Sequence, residues 1–140
     1  MEVRLDGRTA IITGSSKGLG FAMAKEFAAS GANVAILARN PDTLNTAVAA
    51  ASAGAAGKVA GFSCDVSKAD QIEKTFADVV NTFGKVDILI NNAGMSRAMP
   101  SDKITDEIWQ EDLARDIPAL LIRMSTLPKV LTTSAKVFSI

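Results

Sequence analysis

Thr13-Gly14-Ser15-Ser16-Lys17-Gly18-Leu19-Gly20 follows directly on the apolar run Ala10-Ile11-Ile12. A short apolar run reads as a buried strand, and the glycines after it let the chain turn sharply into a helix. Gly14 permits the tight turn, Gly18 lets the backbone approach a pyrophosphate, and Gly20 lets helix and strand pack closely. Ser15, Ser16, Lys17 and Leu19 complete the loop, and the unpaired amides at the helix start would bind the phosphates of a dinucleotide. A glycine pattern alone is weak, but here it has the required context of a strand before and a helix after. The competing reading is an ordinary glycine turn.

Outward from this stretch, short apolar runs alternate with helical patterns. Strands are expected over 9–13, 33–38, 58–63 and 86–91. The first helix, over 19–30, is closed by Gly31, which suits the left-handed residue past a helix end. Asn40-Pro41-Asp42 opens the second with a cap, a proline at the first helical position and an acid near the positive helix end. This helix runs through an alanine-rich stretch into a Gly54/Gly57 loop. The third is expected to start at Ser67, with Asp70 as the acid of a capping-box variant. Ile72, Phe76, Val79, Val80 and Phe83 follow helical spacing, and Gly84 ends the helix.

Such alternation with near-continuous apolar strands means an α/β domain, a parallel sheet covered on both faces. The expected fold is a Rossmann-like, doubly wound parallel sheet truncated to about four or five strands. In the order 3-2-1-4 the first two helices cover one face and the third covers the other. A ligand would then sit where the chain reverses between strands one and four, above the carboxyl ends of the strands. Further along, Thr105-Asp106-Glu107 reads as a cap with acids, starting a helix through Ile108, Trp109 and Leu113. Pro118 ends or kinks it, and residues 129–133 read as a short fifth strand.

At 140 residues and 48% hydrophobic, the chain can bury one compact core. Fifteen basic and fifteen acidic side chains cancel, so no global field favours nucleic acid or an anionic membrane. The single cysteine, Cys64, excludes an internal disulfide and fits a reducing compartment. No run is long enough to span a bilayer, and the charged amino terminus lacks a signal-peptide apolar segment. A soluble cytoplasmic protein without a metal site is the expectation.

Three motifs together carry a family resemblance: Thr13-Gly14-x-x-x-Gly18-x-Gly20, Asp65-Val66 after the third strand, and Asn91-Asn92-Ala93-Gly94 after the fourth. In this order and spacing the chain resembles the short-chain dehydrogenase/reductase family, and its 3-oxoacyl-carrier-protein-reductase-like members in particular. The likeness covers residues 1 to about 113, roughly the amino-terminal half of a family domain. It implies a dinucleotide-binding domain over 1–113 and a divergent segment over 114–140. It further implies that Asp65 accepts a hydrogen bond from the adenine amino group, with Val66 beside the ring. Asn91, Ala93 and Gly94 would line the adenosine ribose and the route to the nicotinamide, and Asn92 would help hold the central strands. For Asp65 the bland alternative is a turn cap.

Cofactor preference follows from charge. A site selective for NAD places a carboxylate near the end of the second strand, about 20 residues after the glycine motif. Ala38 stands there instead, followed by Arg39. A carboxylate would repel a 2′-phosphate, whereas a guanidinium binds it bidentately. Lys17 adds a second cation in the glycine loop, so NADP(H) is favoured over NAD(H). Two solvated surface cations are the plainer alternative.

The resemblance also implies hydride transfer between nicotinamide and a carbonyl or alcohol, with a Tyr-x-x-x-Lys pair moving the proton. The chain contains no Tyr and no His. Asp116 stands where the family's relay Asn is expected, and Ser134, the one candidate for the family Ser, arrives too early. No catalytic residue is therefore assigned. The leading reading is an NADP(H)-binding domain of a reductase-like oxidoreductase without catalytic competence of its own. Two others compete with it: an enzyme whose missing groups come from a partner or a substituted residue, and a non-enzymatic interaction protein or truncated product using exposed sheet and helix surface. Uncovered surface of that kind also leads us to expect self-association.

Overall fold

The computed structural model of the chain describes residues 2–93, 107 and 131–139. Strands β1 (Thr9–Thr13), β2 (Asn33–Ala38), β3 (Val59–Ser63), β4 (Val86–Asn91) and β5 (Leu131–Ser139) form one sheet. Its order is β3-β2-β1-β4-β5, and every neighbouring pair is parallel. Helices α1 (Gly18–Ala29), α2 (Pro41–Ser52) and α3 (Ala69–Phe83) connect the first four strands. The chain builds outward from β1 to β3, then crosses back to lay β4 on the other side of β1. That reversal makes β1/β4 the switch point expected from the alternation.

β5 differs from its expected extent. It begins at Leu131 and runs to Ser139, so Ser134 lies inside the strand instead of after it. Leu131 sits opposite Val86 and Lys136 opposite Ile88, a register break that leaves the Thr132–Ala135 backbone, Ser134 included, in an irregular span. The β-branched Thr132, Thr133 and Val137 suit an extended chain, but no continuous apolar run marks this strand. The expected helix after Thr105 lies outside the described residues, apart from Glu107, which is helical.

Helix ends follow the local signals with one exception. The Asn40 side chain accepts from the amides of Asp42 (2.8 Å) and Thr43 (3.2 Å), and Pro41 fills the first position of α2. Gly84 closes α3, donating its amide to the Val80 carbonyl at 2.7 Å. Ser67 does not cap α3. The helix begins at Ala69 behind Lys68, with no side-chain cap, because the Ser67 hydroxyl is bonded to Asp65 instead.

Alternate side chains of each central strand face opposite layers. Ile12, Val34, Ile36 and Ile90 pack with Ala24 and Ala28 of α1 and Leu44, Ala47 and Ala51 of α2. Ile11, Ala35, Leu37 and Leu89 meet Ile72, Phe76 and Val79 of α3 on the other side. The two-face division of helices is as expected. Burying one side chain of Val, Leu, Ile or Phe size stabilises by about 1.5–3 kcal/mol, so these layers hold the sheet.

One charge is buried at the opposite end of the sheet from the candidate site. Asp87 is only 4% exposed and accepts from the Thr9 amide at 2.9 Å, with Lys85 Nζ at 3.3 Å and Arg8 Nη1 at 3.6 Å. It therefore ties the starts of β1 and β4 together. We expect Asp87→Ala to lower unfolding free energy by about 2 kcal/mol in urea titration, chiefly because a buried amide loses its acceptor. Arg8→Ala should cost less than about 1 kcal/mol, since that side chain is half solvated.

Candidate functional site at the carboxyl ends of the strands

Each glycine of the β1–α1 turn is required for a different reason. Gly14 has φ +61°, and a Cβ there would stand 2.9 Å from Ala93 Cα and 3.2 Å from Ala93 Cβ. A side chain on Gly20 would run into the Asn92 amide nitrogen and lie 2.8 Å from the Gly14 carbonyl. Those two positions are closed by protein. Gly18, at φ +60°, is different: a Cβ there would meet nothing within 4 Å among the described residues. The turn is thus packed from behind and open in front.

The amino end of α1 faces that open side. Among the described residues no side chain caps it, and its first turn carries no acid. The first turn of a helix leaves amide donors without intrahelical partners and carries partial positive charge. α2, by contrast, has its amides occupied by Asn40. Lys17 and Leu19 are exposed beside the uncapped end, and Ser16 is half-buried. Ser15 is buried, its hydroxyl donating to the Ile12 carbonyl (2.6 Å) and accepting from the Leu37 amide (3.2 Å). It is a strut between β1 and β2.

The end of β4 braces the turn. Asn92 Nδ2 donates to the carbonyls of Thr13 (3.1 Å) and Gly14 (3.2 Å). Thr13 Oγ1 accepts from the amides of Asn92 (3.0 Å) and Ala93 (2.8 Å), and lies 3.5 Å from the Ile90 carbonyl oxygen. The Thr13 hydroxyl was not singled out as a site residue from the sequence. Its only signal there is a hydroxyl at the strand end, just before the first glycine. Asn91 and Ala93 sit half-buried beside the turn, and Gly94 lies outside the described residues.

The ends of β2 and β3 carry the remaining polar groups. Arg39 is exposed just past β2, and its carbonyl accepts from the Ser63 hydroxyl at 3.3 Å. Asp65 follows β3, with its amide donating to Gln71 Oε1 at 2.8 Å. Asp65 Oδ1 accepts from the Ser67 hydroxyl (2.7 Å) and the Ser67 amide (3.0 Å). These Ser67 bonds, helped by the charges of Lys68 and Arg39, hold the Asp65 carboxyl below the usual carboxylate range. Val66 is half-buried against the α3 layer. The arrangement offers amide donors, two cations and an ionised acceptor at the carboxyl ends of the strands. Among the described residues no cluster of metal-ligating side chains occurs.

A doubly wound α/β fold with a glycine turn at its switch point defines the broad class. The family model for short chain dehydrogenase matches residues 8–136, and the chain belongs to that family. It is 42% identical over 106 residues to 3beta-hydroxysteroid dehydrogenase 1 of Eggerthella lenta, covering 76% of this chain and 41% of that protein. It is 33% identical over 128 residues to D-threitol dehydrogenase of Mycolicibacterium smegmatis, covering 91% and 49%. A short chain dehydrogenase of Burkholderia cenocepacia J2315, solved in complex with NADP, superimposes with TM-score 0.82 at 30% identity, over 97% of this chain and 56% of that one. The chain thus spans about half the length of the curated relatives it matches. Among the described residues no helix is long and apolar enough to cross a membrane.

Proposed function

We propose that the chain is the NADP(H)-binding part of a short chain dehydrogenase-type oxidoreductase. The observation that carries this is the uncapped amino end of α1 beside the open face of Gly18. Amides of Ser16, Lys17, Gly18, Leu19 and Gly20 would hold the diphosphate, and Ser15 would keep the turn in shape. Lys17 and Arg39 would bind the 2′-phosphate of NADP(H) in preference to the free hydroxyl of NAD(H). Asp65 would accept from the adenine amino group, with Val66 beside the ring. Asn91, Ala93 and Gly94 would line the way to the nicotinamide. The Burkholderia relative's complex with NADP supports this cofactor class.

When bound, the nicotinamide supplies or accepts a hydride, the family's exchange with a carbonyl or alcohol. This chain's residues bind and orient the cofactor, and with no Tyr and no His they lack the family's proton donor and the side chain that most often replaces it at neutral pH. We therefore read residues 1–113 as a binding domain that does not turn over alone, with β5, from 114–140, extending its sheet. A buried, unpaired Cys64 agrees with a reducing, cytoplasmic setting. Calorimetric titration of the purified chain should give saturable NADPH binding, weaker NADH binding and no carbonyl-dependent NADPH oxidation. Absence of binding by either nucleotide would overturn the reading.

A further inference from the structure

Ser67 has the sequence signature of a helix cap, yet it caps nothing. A serine at the cap position is worth about 1 kcal/mol to a helix, and that contribution is forgone here. Both its donors go instead to one oxygen of Asp65: the hydroxyl at 2.7 Å and the amide at 3.0 Å, each to Oδ1. Gln71, from the first turns of α3, holds the Asp65 amide at 2.8 Å. The residue is thus fixed at its backbone and at one carboxylate oxygen. Oδ2 has no hydrogen-bond partner among the described residues.

We propose that Ser67 is a positioning residue that aims Asp65 Oδ2 at the purine, so that the site selects adenine over hypoxanthine. This rests on the reading of Asp65 as the adenine-facing group. A carboxylate torsion of the Asp type is broad and two-fold, so an untethered Asp65 would present either oxygen over a wide range of angles. Two donors on Oδ1 remove that freedom. An ionised carboxylate only accepts, so an exocyclic amino group finds a partner, while the carbonyl of hypoxanthine meets a second acceptor. The same bonds hold the Asp65 carboxyl below the usual carboxylate range, so the acceptor-only form persists to lower pH than it would without them.

The test is the ratio of dissociation constants for NADPH and its hypoxanthine analogue, measured calorimetrically on the full chain. The wild-type chain should prefer NADPH by about tenfold, the size of a partly solvated hydrogen bond to a charged acceptor. Ser67→Ala should bring the ratio within about threefold, and Ser67→Thr, which keeps the hydroxyl, should restore it. An unchanged ratio in Ser67→Ala overturns the proposal and leaves the cofactor reading intact. So does an equal loss of affinity for both nucleotides, the mark of a merely structural role. Equal binding of both by the wild-type chain overturns it along with the role given to Asp65. Failure of the wild-type chain to bind either nucleotide overturns it together with the cofactor reading.

Discussion

Replacing Gly18 by Val is expected to weaken NADPH binding by at least about 100-fold, or about 2.7 kcal/mol, while the chain stays folded. A Cβ at this position meets nothing within 4 Å among the described residues, so none of their atoms needs to move. The cost to the fold is the left-handed conformation, φ +60°, which for an L-residue is about 1–2 kcal/mol. The cost to binding is larger, because the new side chain occupies the approach to the amides of α1. Charge-assisted hydrogen bonds contribute about 1.5–3 kcal/mol each, and displacing a phosphate by an ångström forfeits more than one. Calorimetry with NADPH, beside circular dichroism and a urea titration, separates the two effects. Binding within fivefold of wild type would show that no anion approaches this face.

The second large effect is expected at Arg39. Arg39→Asp should lower NADPH affinity by about 100-fold and raise NADH affinity, so that the order of preference reverses. The substitution removes a bidentate donor and puts a carboxylate where a 2′-phosphate would lie, and like charges at such distances repel strongly outside bulk water. That same carboxylate can accept from the free 2′-hydroxyl of NADH. The side chain is exposed at the end of β2, so the fold should tolerate the change. Competitive titration with the two nucleotides reads the reversal directly. If NADPH affinity were unchanged, the guanidinium would not meet a 2′-phosphate, and the selectivity would have to come from elsewhere.

The legible parts of this molecule are those whose cause is local. β1, β2 and β4 are buried on both faces, so each is a nearly unbroken apolar run with visible ends. The start of α2 is written in Asn40-Pro41, and the three motif glycines, Gly14, Gly18 and Gly20, lie close together in the chain. Ser67 was misread because a serine before a helix can bond forward to the helix or backward to a carboxylate, and only geometry decides. β5 was placed only in part, since its pairing partner is distant and its residues mix Thr, Ser and Lys with apolar ones. The Thr13 hydroxyl was missed for the same reason: its partners, Asn92 and Ala93, are 79 and 80 residues away.

That last bridge has a consequence for assembly order. A chain emerging residue by residue completes the glycine loop early, yet the peg that steadies it comes only when Asn92 appears. Closing a segment of that span carries an entropic cost that no nearby contact repays. Until then only the Ser15 strut to β2 steadies the bend, and the full brace exists only in a sheet whose first and fourth strands have already met.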